Sequence, residues 1–135
     1  MLGPFQIALY RLAQPIPPVP YESETPRTSF SVTFEEVFAA LEAWPRMFIE
    51  PDGSFVWVGE EQDSLGTIST WQLDGHLYDR AERLLSVELQ GRCPWTALEQ
   101  LIAVLGDPRE ELCVEQRREG IYLALAEFRK TLATG

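Results

Sequence analysis

Lysine is nearly missing from this chain. Of 11 basic residues only Lys130 is a lysine, and 21 acidic residues outnumber them for a formal charge of −10. Neutralising nucleic-acid phosphates or anionic lipid headgroups takes clustered Lys and Arg. Nucleic acid and membrane surfaces are therefore not expected as partners. Histidine occurs once, at His76, and cysteine twice, at Cys93 and Cys113. With no C-x-x-C or H-x-x-x-H spacing there is no zinc pattern, and two cysteines make no disulfide framework. The acidic run Glu60-Glu61-Gln62-Asp63 lacks the alternating ligands and central glycine of a calcium loop. No phosphate-cradling loop, dinucleotide fingerprint or G-x-S-x-G elbow occurs, so neither metal nor cofactor is expected. No apolar run approaches the roughly 18 residues that cross a bilayer. Residues 1–11 show neither the basic start nor the cleavage site of a secretory signal. The expectation is a cytoplasmic protein.

What remains is a chain of 135 residues, 45% hydrophobic and 24% charged, typical of a globular protein with one domain. It divides into an N-terminal arm over 1–32 and a single α+β domain over 33–135. In the arm, Phe5, Ile7 and Leu9 alternate with polar or small residues, which predicts a strand over about 4–12. The prolines between Pro15 and Pro20 predict an extended connector.

Thr33 and Glu36 have capping-box spacing and open a helix. Its apolar stripe is Phe34, Val37, Phe38 and Leu41, with Trp44 at the end, where Pro45 stops it. A three-residue turn, Pro51-Asp52-Gly53, predicts a hairpin that pairs Ile49 with Phe55 and Met47 with Trp57. Residues 59–66 read as a polar loop. A long strand over about 67–78 puts Trp71, Leu73, Gly75 and Leu77 on one face. A turn at 79–83 then sets Leu77 opposite Leu85, Gly75 opposite Val87 and Leu73 opposite Leu89. Gly75 marks a bulge or a close-packing site. A second helix starts at Pro94, carries Leu98, Leu101, Ile102 and Leu105, and ends at Gly106. Strands around 112–117 and from about 121 follow, then a helix over 125–133; a helix through 109–118 is the alternative. The fold class is α+β: an antiparallel sheet of about four to six strands with two or three helices mainly on one face.

The same register puts Gln72, Asp74, His76 and Tyr78 on the opposite face, with Ser86 across from His76 and Glu88 across from Asp74. Serine, histidine and carboxylate side by side are the parts of nucleophilic catalysis. A flat strand pair supplies neither oxyanion donors nor a dry pocket, so an ordinary polar sheet face is expected. Cys93 follows Arg92 and precedes a helix, both features that lower a thiol pKa, but no second histidine is available as a base, so a structural or incidental thiol is expected and a redox-reactive one is the alternative. Cys113, between Leu112 and Val114, reads as a small buried hydrophobe. The first hairpin is apolar on both faces: Phe48 and Val56 on one, Ile49, Phe55 and Trp57 on the other. One of them is then expected to be covered by a partner or by the arm.

The leading functional reading is a non-catalytic protein-binding or adaptor module. Its acidic charge would steer it to a basic partner. The alternatives are a small-molecule-binding domain with a tryptophan-lined pocket between helices and sheet, and a small enzyme using the His76/Ser86/Asp74 cluster, Glu88 or the Cys93 thiol.

Overall fold

A computed structural model describes residues 3–12, 27–106 and 111–134. The proline-rich connector and the Asp107-Pro108 step lie outside these residues. Within them the elements are β1 (Phe5–Leu12), β2 (Arg27–Thr28), α1 (Phe34–Glu42), β3 (Met47–Ile49), β4 (Ser54–Gln62) and β5 (Ile68–Arg80). After these come β6 (Arg83–Arg92), α2 (Trp95–Leu105), β7 (Leu112–Gln116), β8 (Ile121–Ala124) and α3 (Leu125–Thr134). The strands form one antiparallel sheet in the order β3-β4-β5-β6-β1-β7-β8, with β2 paired to the end of β1. None of the described helices is long and apolar enough to cross a membrane.

The local signals explain most boundaries. The Thr33 hydroxyl accepts from the Glu36 amide while the Glu36 carboxylate accepts from the Thr33 amide, closing the capping box of α1. The helix stops at Glu42, two residues before Trp44. Trp44 is drawn off the helix to lay its ring against Trp57 at 4.9 Å, and a turn through Pro45 and a left-handed Arg46 (φ 58°) leads into β3. Gly106, left-handed at φ 73°, caps α2. The 51–53 turn has the expected pairing of Ile49 with Phe55 and Met47 with Trp57.

One core joins the helices to one sheet face. Val37 and Leu41 of α1, Leu98, Leu101, Ile102 and Leu105 of α2, and Leu125 and Phe128 of α3 are buried with Ile7, Leu9, Phe55, Leu73, Leu77, Val87, Leu89 and Val114 from the strands. The alternation along each strand sends every second residue to this layer. On the other face Ala8, Tyr10, Leu12, Cys113 and Tyr122 make a smaller buried cluster.

Three expectations need correction. The sheet has eight strands, not four to six. Part of the excess is short elements such as β2 and β3. Elsewhere β4 runs on through Gly59–Gln62, leaving only 63–67 as loop. That extension, Gly-Glu-Glu-Gln, buries no residue and carries no apolar side chain, so no apolar alternation announces it. The β5–β6 register is displaced by two residues: Leu77 pairs with Val87, Gly75 with Leu89 and Leu73 with Gly91. The cause is a two-residue turn at Ala81-Glu82, both at positive φ (52° and 72°), followed by a bulge that leaves Leu85 unpaired. A shift of two preserves the faces, but the bulge exchanges two leucines: Leu84 is fully buried and Leu85 is exposed. Of the two readings of Gly75, close packing is the one the structure bears out. A Cβ there would lie 2.0 Å from the Phe55 ring, so glycine makes room for the aromatic across the ladder.

Candidate functional site

The sheet face away from the helices is built by strand order. Successive pairings place Ser54, His76, Glu88, Ala8, Glu115 and Tyr122 in one row across six strands. A second row holds Val56, Asp74, Gln90 and Gln6. The Arg117 amide extends it by donating to the Gln6 carbonyl at 3.0 Å. In the corrected register Ser86 faces Tyr78, Glu88 faces His76 and Asp74 faces Gln90. The expected Ser86–His76 and Glu88–Asp74 neighbours are thus separated. Ser54, on β4, takes the place beside His76.

Hydrogen bonds engage these groups elsewhere. The Ser54 hydroxyl donates to Asp52 at 2.6 Å and the Ser54 amide to the same oxygen at 2.9 Å. Those two bonds, with His76 nearby, hold the Asp52 carboxyl below the usual range. The His76 ring stacks on Tyr78, with centroids 4.2 Å apart and planes 14° from parallel. The Tyr78 hydroxyl donates to Glu88 at 3.2 Å, and Arg117 bridges Glu88 at 3.1 Å and Glu115 at 3.4 Å. The Tyr10 hydroxyl donates to Glu115 at 3.0 Å. Burial, with the Glu88 charge and hydrogen bond added, raises the Tyr78 pKa. For Tyr10, burial likewise raises it, and Glu115 adds to this against the opposing charge of Arg27. Arg27 lies 3.6 Å over the Tyr10 ring and donates to the Tyr122 hydroxyl at 3.1 Å. Among the described residues no hydrogen bond joins His76 to Ser54, Ser86 or Glu88, so no proton relay runs along the row.

Three open depressions mark this face. One of about 180 Å³ lies between His76, Tyr78, Glu88 and Arg117. A second, about 490 Å³, lies between Arg46 and Arg92 over Val58 and Gln72. The third, about 330 Å³, is bounded by Tyr10, Arg27, Leu85 and Ser86. No protein-family model, curated protein or solved structure matches the chain. The face must therefore be read on its own chemistry.

At Cys93 the two local features that lower a thiol pKa are overridden. It sits before α2 but is fully buried, and burial pushes its thiol up to about 12. Desolvation outweighs any benefit from the helix N-terminus. Cys113 is buried as expected. Trp57 and Trp71 are buried, while Trp44 and Trp95 are half-buried against the core; Trp57 stands between Trp44 at 4.9 Å and Trp71 at 5.0 Å, the latter edge-on. Among the described residues no three His, Cys, Asp or Glu side chains gather as metal ligands. Sequence reasoning missed Ser54, Arg117, Arg27 and Tyr10. Each reaches the face through long-range strand pairing, for which no local pattern exists.

Proposed function

We propose that this chain is a non-catalytic protein-binding module and that the helix-free sheet face is its contact surface. The observation that carries the reading is the composition of that face. Three helices cover one side of the sheet, while the other presents Tyr78, His76, Arg27, Arg46, Arg92 and Arg117 beside the exposed Phe48. Tyrosine and arginine are enriched at protein interfaces and lysine is depleted. The polar atoms already bond one another in an open network, which suits a preformed docking surface better than a reaction chamber. Much of the acidic excess lies off this face, at Glu35, Glu36 and Glu42 of α1 and at Glu50, Asp63, Asp79 and Glu82 in or beside turns. Its field favours a basic partner through steering. Cys93 and Cys113, both buried, form no disulfide, which fits the reducing cytoplasm.

The test is affinity capture from the native cell with the wild-type chain and with Tyr78→Ala and Arg117→Glu. The reading expects a protein held by wild type, released at raised salt and lost with both variants. Identical capture by all three would remove the face from consideration. A second reading, binding of a small anionic molecule, rests on the 490 Å³ depression flanked by Arg46 and Arg92, a volume within the usual ligand range. A thermal-shift screen of small carboxylates and phosphates against wild type and Arg92→Ala tests it: stabilisation seen only with wild type supports this reading, and none in either chain rejects it.

A further inference from the structure

One row of the helix-free face runs from Arg46 to Pro4. The Val58 amide donates to the Arg46 carbonyl, Val58 pairs with Gln72, and Gln72 pairs with Arg92. Pro4 comes next, just before Phe5, which pairs with Gly91. This row lines the depression of about 490 Å³, with Gly59 and Gly91 contributing backbone alone. The Gln72 amide turns aside to donate to Asp74 at 2.9 Å. Val58, Pro4 and bare backbone are left as an apolar floor. Arg46 and Arg92 stand three strand spacings apart, about 14 Å between backbones, one on each rim.

The two arginines are in different states. Arg46 is paired, its Nη1 lying 3.5 Å from the Glu60 carboxylate. Arg92 is exposed and, among the described residues, has neither an ion pair nor a side-chain hydrogen bond. This is notable in a chain with 21 acidic residues. Asp74, diagonal to Arg92 across the ladder, is held by Gln72 instead. The depression therefore offers one uncompensated cation beside an apolar floor. A guanidinium fork fits a carboxylate in two parallel hydrogen bonds. A phosphate monoester brings about two negative charges, more than Arg92 alone neutralises. A second carboxylate on the ligand would reach Arg46 only by displacing Glu60.

We propose that this depression binds a small monocarboxylate with an apolar tail, its carboxylate on Arg92 and its tail across the floor to Val58, and that Glu60 restricts it to ligands with a single charge. The proposal rests on the small-anion reading of the depression and names the ligand class. Glu60 sets specificity because its own carboxylate already satisfies Arg46, leaving the far rim nothing to offer a second anionic group. From Arg92 to Val58 is two strand spacings, about 10 Å, so a tail of medium length covers the whole floor. An Asp or Glu side chain of a protein partner is too short to do so.

The experiment is isothermal titration calorimetry of the full chain with acetate, butanoate, hexanoate, octanoate, suberate, octylammonium and inorganic phosphate. Affinity should rise about twofold per methylene from acetate to octanoate, half the factor of about four that complete burial of a CH2 gives, because the depression is open. Octylammonium, with the same tail and the opposite charge, should not bind. Arg92→Gln changes an exposed side chain, so it should melt as wild type does and weaken octanoate at least about tenfold, the loss of a charge-assisted contact. Suberate, which is octanoate with a second carboxylate, should gain at least about tenfold in Glu60→Gln, where Arg46 is released. Acetate or phosphate binding as tightly as octanoate, and lost with Arg92→Gln, would overturn the proposal and leave the small-anion reading standing. Octanoate binding that survives Arg92→Gln, octylammonium binding equally well, or no binding by any anion would overturn both. A suberate affinity unmoved by Glu60→Gln would overturn the role of Glu60.

Discussion

Replacing Gly75 with alanine adds one methyl group where the structure has no room for it. The added Cβ would sit 2.0 Å from Cζ of Phe55 and 2.5 Å from two further ring carbons, whereas nonbonded carbons prefer about 3.5 to 4 Å. The ring would have to retreat by roughly 1.5 Å, and Phe55 is only 3% exposed, enclosed by core. Overpacking of this kind costs about 1 to 3 kcal/mol or more. Alanine returns about 0.5 to 1 kcal/mol because glycine loses more backbone freedom in a strand. The expected net loss for Gly75→Ala is about 2 kcal/mol. With a urea m-value of about 2 kcal/mol/M, the unfolding midpoint should drop by about 1 M. Removing the ring separates packing from propensity. Phe55→Ala alone should cost about 3 to 5 kcal/mol. In that background, or in Phe55→Leu if too little stability remains, Gly75→Ala should be neutral or stabilising by up to about 1 kcal/mol. The coupling between the two sites would then be about 2 to 3 kcal/mol. Equal loss in both backgrounds would refute the claim that Gly75 exists to seat Phe55.

Gly53→Ala should cost about 2 to 3 kcal/mol by urea unfolding. That exceeds the roughly 1 kcal/mol of a left-handed residue alone, because its Cβ would meet the Leu77 carbonyl at 2.5 Å. Trp71→Ala should cost about 3 to 5 kcal/mol in the same assay, since the ring is buried between Gly59 and Trp57. Cys93 sets an alkaline limit: its ordinary value of 9.0 is pushed up to about 12 in the folded chain. Below pH 9 both states keep the proton; above it the unfolded chain loses its proton first, so stability falls as pH rises from 9 toward 12. Cys93→Ala should show a shallower alkaline decline in thermal melts, and an unchanged slope would reject the assignment. His76→Ala should change stability by less than about 0.5 kcal/mol, as a partly exposed group with no hydrogen bond among the described residues does. Loss of a measurable turnover in that variant would restore the enzymatic reading.

By itself the sequence determined where the three helices lie, which face of β5 is apolar and where several turns fall. These are local matters. The Thr33–Glu36 box, the Pro51-Asp52-Gly53 turn and the Gly106 cap act within a few bonds of themselves, and alternation along residues 68–80 sorts Trp71, Leu73 and Leu77 inward whatever they pair with. Register was legible only modulo two. Parity follows from the buried face, but the absolute offset depends on a two-residue turn and a bulge at Leu85 that leave no pattern in composition. The extension of β4 beyond Val58 was invisible for a related reason: Gly59 to Gln62 carry no apolar side chain and so no alternation to read. Tertiary structure alone decided that β1 lies between β6 and β7, because pairing partners far apart in the chain are chosen by the shape of the whole sheet. That choice puts small Ala8 between Glu88 and Glu115 and brings Arg117 to both carboxylates, while the β4–β5 pairing and the β5–β6 register set Ser54 rather than Ser86 beside His76. Tertiary structure also overrode the two local features that lower the Cys93 pKa, since desolvation depends on what the fold packs around a thiol, not on the residues beside it in sequence.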